Sequence, residues 1–349
     1  MNNERDSTLD IIKGLCMVTI VCSHFGHNIL WFYYLYVYGF YFVSGYTFKD
    51  KTFKTFIKSK LHRLYFFFVS SCLFSLIVLK LLSITTNGVY TFDFNFKILL
   101  NIFLFNIPHN ILSPAWFIFP LFIILMVYYV LNKIIKNKYI ILGILFVVYC
   151  IAYYFKDYLS LYKWNNCTWL LNVCLGLFVF GCGQIVNVNS KLKDLLFNGR
   201  YSKDIFIIST IVIYIIYAYS NFEIDVRAGI LNSFICNTIM CTVGMIFVFY
   251  LSKLISTSTN FAFIFSLIGR NRMAIMYFHL LSASIVTLFA HFCFGYEFPN
   301  NWSMSYNGGW LGVLNIIVGI FVPIICTAIF EKSTIRSIVF GPGGNDKVQ

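Results

Sequence analysis

Two of the six histidines in this chain sit in apolar runs, each a few helical turns beyond a cation. Lys13 and His24 are eleven residues apart, and Arg272 and His279 are seven. At about 100° per residue both spacings return to nearly the same helix face. His24 is then roughly 16 Å deeper than Lys13, and His279 roughly 10 Å deeper than Arg272. Asp10 lies three residues before Lys13, the spacing of a helical ion pair. Imidazole titrates near neutral pH, so such a histidine is suited to take and return a proton or to carry a transferred group. Ionisable groups are expensive in a membrane interior, which marks each of these as a functional candidate. The blander alternative is a structural ion pair, two packed histidines and anchoring arginines.

The elements that must hold these residues are membrane helices. Of the 349 residues, 59% are hydrophobic and only 11% charged, against roughly 25% charged in a soluble domain. Too little polar surface remains to face water. The apolar stretches predict spans over 11–31, 33–48, 64–86, 114–132, 139–155, 169–187, 205–220, 230–252, 272–294 and 310–330. The fold expected is an all-α membrane protein, a bundle of about ten transmembrane helices. Residues 1–335 read as a single membrane domain and 336–349 as a short disordered tail. The apolar segment 97–107 is short and reads as re-entrant or interfacial.

Charge sets the expected orientation. With the N-terminus inside, only Lys80, Lys97, Lys156, Lys163 and Arg227 of the 26 Lys and Arg fall outside. That asymmetry predicts a multi-pass protein of the cell membrane with both termini cytoplasmic. The net charge of +13 is then topology and attraction to anionic lipids, with no nucleic-acid partner implied. Eleven cysteines lie almost all in apolar spans and no CxxC pair occurs, so they read as small buried hydrophobes. Cys167 and Cys293, near outer span ends, are a candidate pair. No metal site is expected, and no nucleotide P-loop, Rossmann or G-x-S-x-G fingerprint is present.

Further segments carry weaker signals. Gly39 to Tyr46 combines Ser44 with glycines that permit close helix contact. Lys49 to Arg63 is the most basic stretch, read as a cytoplasmic loop suited to a polyanion or to topogenesis alone. Lys60 and Arg63 stand where the next span begins. His109 and Ser113-Pro114-Ala115-Trp116-Phe117 mark the outer start of the fourth span, with Trp116 at an interface position.

Together these segments resemble the acyltransferase 3 family of integral membrane acyltransferases. The resemblance rests on Asp10-Ile11-Ile12-Lys13-Gly14-Leu15 followed by His24, on Phe42-Val43-Ser44-Gly45-Tyr46, and on Lys60-Leu61-His62-Arg63-Leu64. It continues through Ala115-Trp116-Phe117-Ile118 and through Gly269-Arg270-Asn271 with Ile275-Met276-Tyr277-Phe278-His279. Lys13 stands where the family often has Arg, a variant similar to its sugar O-acetylase branch.

The resemblance implies an enzyme that moves an acyl group, usually acetyl from acetyl-CoA, to a carbohydrate hydroxyl. The acceptor expected is a cell-surface polysaccharide or its lipid-linked precursor, beside the lipid bilayer. His24 and His279 are the expected catalytic residues. Lys13, Lys60, Arg63, Arg270 and Arg272 are expected to meet the donor, with Asp10, Ser44, Trp116 and Asn271 in positioning roles. The rival reading is a transporter or flippase of a lipid-linked saccharide. Proton-driven transporters bury carboxylates in their spans, and here Asp10 alone approaches a span core, at its inner end.

Overall fold

The computed structural model describes residues 7–27, 36–86, 95–107, 109–161, 163, 168–198, 202–219, 224–225, 230–231, 233–299, 305–331, 333 and 336–340. Arg5, Cys167, Arg200, Arg227, Lys332, Lys347 and the chain beyond Phe340 lie outside them. The helices are α1 (Ser7–His24), α2 (Tyr36–Tyr46), α3 (Phe53–Lys60), α4 (Phe67–Thr85), α5 (Phe96–Phe103), α6 (Ile118–Ile134), α7 (Lys138–Tyr154) and α8 (Lys156–Leu159). They continue as α9 (Trp169–Val188), α10 (Ser190–Asn198), α11 (Ser202–Tyr219), α12 (Phe234–Ser256), α13 (Thr259–Arg270), α14 (Arg272–Phe294) and α15 (Gly309–Ile329). A π-helical turn, Leu61–Phe66, joins α3 to α4, and a 3₁₀ segment, Asn110–Phe117, leads into α6. Two two-residue strands, β1 (Ile224–Asp225) and β2 (Ile230–Leu231), pair antiparallel.

This is an all-α membrane protein. Among the described residues seven helical runs are long and apolar enough to cross a bilayer. The other three expected spans fall on α2, α7 and α11, of 11, 17 and 18 residues. The lipid-facing logic is plain on α15. Val313, Ile317, Phe321, Ile325 and Ile329 recur every fourth residue and are exposed, while Asn315, Gly319 and Thr327 are turned inward. A surface helix of a soluble protein shows the reverse. In lipid, small and polar residues belong at helix contacts.

The expected boundaries shift in four places. The first span stops at His24 rather than 31, because Gly26 takes a left-handed φ of 76° that ends the helix. The basic stretch read as a loop is helical from Phe53. Residues 253–271, left outside the spans, are helical through most of their length as the end of α12 and all of α13. Arg336–Phe340, assigned from the sequence to the tail, forms a second π-helical turn packed on α4. Ser71 Oγ donates to the Val339 carbonyl at 3.0 Å, and Ser70 Oγ to that of Ile338. Carbonyls at a helix end lack intrahelical partners, and the two hydroxyls supply them.

The chain divides into two compact units. The first comprises 1–19, 30–50 and 119–269. Its helices meet through glycines. A Cβ on Gly45 of α2 would stand 2.0 Å from the Phe180 carbonyl oxygen of α9, and one on Gly183 of α9 would stand 2.1 Å from that of Phe42. The α1–α13 contact is built alike. A Cβ on Gly14 would stand 2.1 Å from the Phe265 oxygen, and one on Gly269 would stand 1.9 Å from the Asp10 oxygen. A side chain in either place forces the backbones apart. Gly269→Ala is therefore expected to destabilise by about 1–3 kcal/mol, read as a lower thermal midpoint in detergent. Gly143→Ala on α7, where a Cβ meets nothing within 4 Å, is the control and leaves the midpoint unchanged or raised. Equal midpoints for the two variants would remove the close-contact explanation.

The second unit comprises 20–29, 51–118 and 270–349. Its centre is the antiparallel α14–α15 pair, with the 3₁₀ segment and α4 packed on α14. Tyr277 of α14 fits edge-on to Phe67 of α4, with ring centroids 5.1 Å apart.

Candidate active site

The second unit brings His24 and His279 together. Their ring centroids are 5.1 Å apart, edge to face at 79°. His24 closes α1 and is half-buried, whereas His279 is fully buried. The two therefore stand in series, with His24 the ring that remains partly accessible. Phe25 closes a further side of His279, with centroids 6.2 Å apart.

The turn after His24 fixes where α1 ends. Phe25 N and His27 N both donate to the Cys22 carbonyl, and Gly26 supplies the left-handed residue. The Phe25 carbonyl accepts from Gly308 N at 2.8 Å, and the His27 ring donates from Nε2 to the Gly309 carbonyl at 3.2 Å. The end of α1 is thus tied to the start of α15. Gly312 leaves room for that tie, since a Cβ there would meet His27 Nε2 at 2.8 Å.

His279 is held from its own helix. Its Nδ1 lies 2.8 Å from the Ile275 carbonyl oxygen, which only accepts. Nδ1 must therefore carry a hydrogen, and in the neutral ring Nε2 carries a bare lone pair. Nε2 is buried and has no hydrogen-bond partner among the described residues. Buried polar atoms are nearly always paired, so an Nε2 left open beside a second imidazole is an exception among the described residues. Gly319 of α15 lets the ring sit close, since a Cβ there would stand 3.3 Å from the His279 Cβ.

The remaining sequence candidates are spread over several elements. Lys13 and Asp10 belong to the first unit, where they form the expected ion pair at 3.2 Å, with Asp10 buried. Ser44 is half-buried on α2, beside the Gly45 contact with α9. Asn271 is the joint between α13 and α14, flanked by half-buried Arg270 and Arg272. Trp116 is buried in the 3₁₀ segment that packs on α14. Lys60 ends α3, its ammonium 5.5 Å from the centroid of the Phe56 ring, and Arg63 is exposed on the π-helical turn. Such turns often occur at functional sites.

Some contributors had no usable sequence signal. Phe25, Gly319 and the His27 tie to α15 depend on the return of a helix some 280 residues later, and nothing in their spacing announces it. Ser113, whose buried Oγ has no partner among the described residues, was visible only as part of the Trp116 segment. Cys293 is exposed, and its suggested partner Cys167 lies outside the described residues. Among the described residues no group of three or more His, Cys, Asp or Glu is placed to hold a metal ion.

Comparison with known proteins adds one match. No curated protein and no solved structure matches the chain. A family model described as an acyltransferase domain matches residues 6–332, nearly the whole chain and both units. The chain belongs to the acyltransferase 3 family of membrane acyltransferases.

Proposed function

We propose that the protein transfers an acetyl group from acetyl-CoA to a hydroxyl of a cell-surface polysaccharide or of its lipid-linked precursor. The observation that carries this reading is the His24–His279 pair, with one imidazole accessible and the other buried behind it with a bare Nε2. His24 takes the proton of the acceptor hydroxyl as its oxygen attacks the thioester carbonyl carbon. A C–O bond forms and the C–S bond breaks. The thiolate leaves and recovers the proton, giving an ester and free CoA. His279 accepts the proton from His24 while the acceptor adds and returns it for the leaving sulfur. Acyl transfer is the family's activity, which favours this reading over a flippase.

Acetyl-CoA brings phosphates, and the residues that suit them are cations with no carboxylate partner among the described residues. Lys13 is a poorer candidate than its position promised, because Asp10 already neutralises it at 3.2 Å. Lys60 and exposed Arg63, with exposed Lys54 and Lys58 on α3, make a better cationic face. Replacing Lys60 and Arg63 together by Ala is expected to raise the donor KM roughly tenfold or more, since charge-assisted hydrogen bonds are the strong ones. Acceptor KM stays as it was. An unchanged donor KM in folded protein would make both residues topogenic only.

The donor is cytoplasmic, so this face must be too. A single Cys at Lys54 in a Cys-free background is expected to resist impermeant thiol reagents in intact cells and to react after permeabilisation. Labelling from outside would reverse the orientation. The reading as a whole is tested with purified protein, radiolabelled acetyl-CoA and candidate glycans. Acetyl ester on a glycan, sensitive to alkali, supports it. Release of CoA without any transferred acetyl, or saccharide movement across vesicles without acylation, would defeat it.

A further inference from the structure

A second site lies in the first unit and shares no residue with the histidine pair. Helices α2, α9, α10 and α12 border a partly open cavity of about 190 Å³ whose wall is almost wholly apolar. Cys182 and Val186 line it from α9, Met245 and Phe249 from α12, and Leu192 and Leu195 from α10. Apolar cavities of roughly 150 Å³ stay dry and accept apolar ligands, so this one suits hydrocarbon rather than water.

The rim is the opposite of the wall. Helix α10 is amphipathic and carries Lys191 and Lys193, both exposed, on either side of Leu192. Its place is fixed at both ends. Asn189 caps it by accepting from Leu192 N at 3.1 Å, and Tyr250 of α12 donates its hydroxyl to the Leu195 carbonyl at 2.8 Å. Lys253 follows three residues after Tyr250 and four after Phe249, so it stands one turn beyond the cavity on the same face of α12. Three cations thus border an apolar slot, against the one exposed acid of α10, Asp194. A basic amphipathic helix over buried hydrocarbon is the arrangement that holds anionic lipid at a membrane surface.

We infer that this cavity is a binding site for an anionic phospholipid, with an acyl chain in the slot and the headgroup phosphate at Lys191, Lys193 and Lys253. The ligand binds the folded protein, so it raises stability by mass action. The test is thermal unfolding of the purified full chain in detergent with added phosphatidylglycerol or phosphatidylcholine of the same chain composition. Phosphatidylglycerol is expected to raise the midpoint more than phosphatidylcholine, and the K191Q/K193Q/K253Q variant is expected to lose that excess. A phosphatidylglycerol with a diazirine in its acyl chain is expected to label wild-type peptides of α2, α9, α10 or α12. Excess unlabelled phosphatidylglycerol should suppress that label, and phosphatidylcholine should not. Equal stabilisation by the two lipids, an excess that survives in the variant, or label confined to other helices would each overturn the inference. The labelling uses wild-type protein, so it decides the matter even where the variant does not fold. None of these readouts depends on acyl transfer.

Discussion

His24→Ala is expected to lower acyl-transfer turnover by about 10²–10⁴-fold, the usual contribution of a general base. The expectation rests on position. His24 is the accessible member of the pair, and the turn that follows it is hydrogen-bonded to the start of α15 on both sides of Gly26. Removing the imidazole leaves that turn intact, because the turn is held by backbone groups and by His27. The variant should therefore keep the wild-type thermal midpoint and donor KM while kcat falls. His24→Gln, which keeps a hydrogen-bonding side chain without a titrating proton acceptor, should be no better than Ala. The measurement is steady-state transfer by purified variants of matched midpoint. Turnover within threefold of wild type for His24→Ala would end the proposed role of His24.

The sequence disclosed the helices more fully than their joints. Composition and charge asymmetry identify a membrane protein because each residue contributes to them locally and independently. The place where a helix ends is a matter of single residues. Gly26 stops α1 at His24, while the apolar run continues past it and reads as helix on hydropathy alone. The segment from Lys49 to Arg63 failed in the other direction. Its charge reads as loop, yet α3 and the following π-helical turn extend the α4 helix through it, since lysines are good helix formers and their stems can lie along apolar surface.

The motif residues divide along a line that spacing could not draw. Gly14, Gly45 and Gly269 all occur in the segments that resemble the family, beside Lys13, Ser44 and Arg270. In the structure each of these glycines is a point where one backbone touches another, at α1–α13 and α2–α9. Their place in the motifs is thus explained by packing without reference to chemistry. The histidine spacing is a different kind of signal. Helical periodicity places His24 and His279 at comparable depth, but only the fold of the second unit can bring their rings to 5.1 Å. The tautomer of His279 is further still from the sequence, because the acceptor that fixes it is a backbone carbonyl one turn away.

That tautomer separates two roles for His279. With Nδ1 donating to Ile275 O, Nε2 is the proton acceptor, and its burial beside His24 leaves it no other partner among the described residues. As a proton relay, His279 matters through the basicity of Nε2. As a spacer, it matters through shape and the Nδ1 hydrogen bond. His279→Asn keeps an amide near the Nδ1 position and lacks Nε2, while His279→Gln reaches the Nε2 position with an amide of negligible basicity. A relay predicts that both variants lose about 10²-fold in kcat with donor KM unchanged. It also predicts that the wild-type pH dependence of kcat loses one ionisation in either variant. A spacer predicts near wild-type turnover for at least one of the two. Gly319→Ala gives an independent reading, because its Cβ would press on the His279 backbone oxygen at 3.2 Å and on Phe25 at 3.4 Å. It moves the ring without touching its nitrogens. If the 5.1 Å approach of the two rings matters, Gly319→Ala is expected to lower kcat and leave the pH profile with the same number of ionisations. Full kcat in His279→Gln would sink the relay, and a normal kcat in a folded Gly319→Ala would show that the approach of the two rings does not limit turnover.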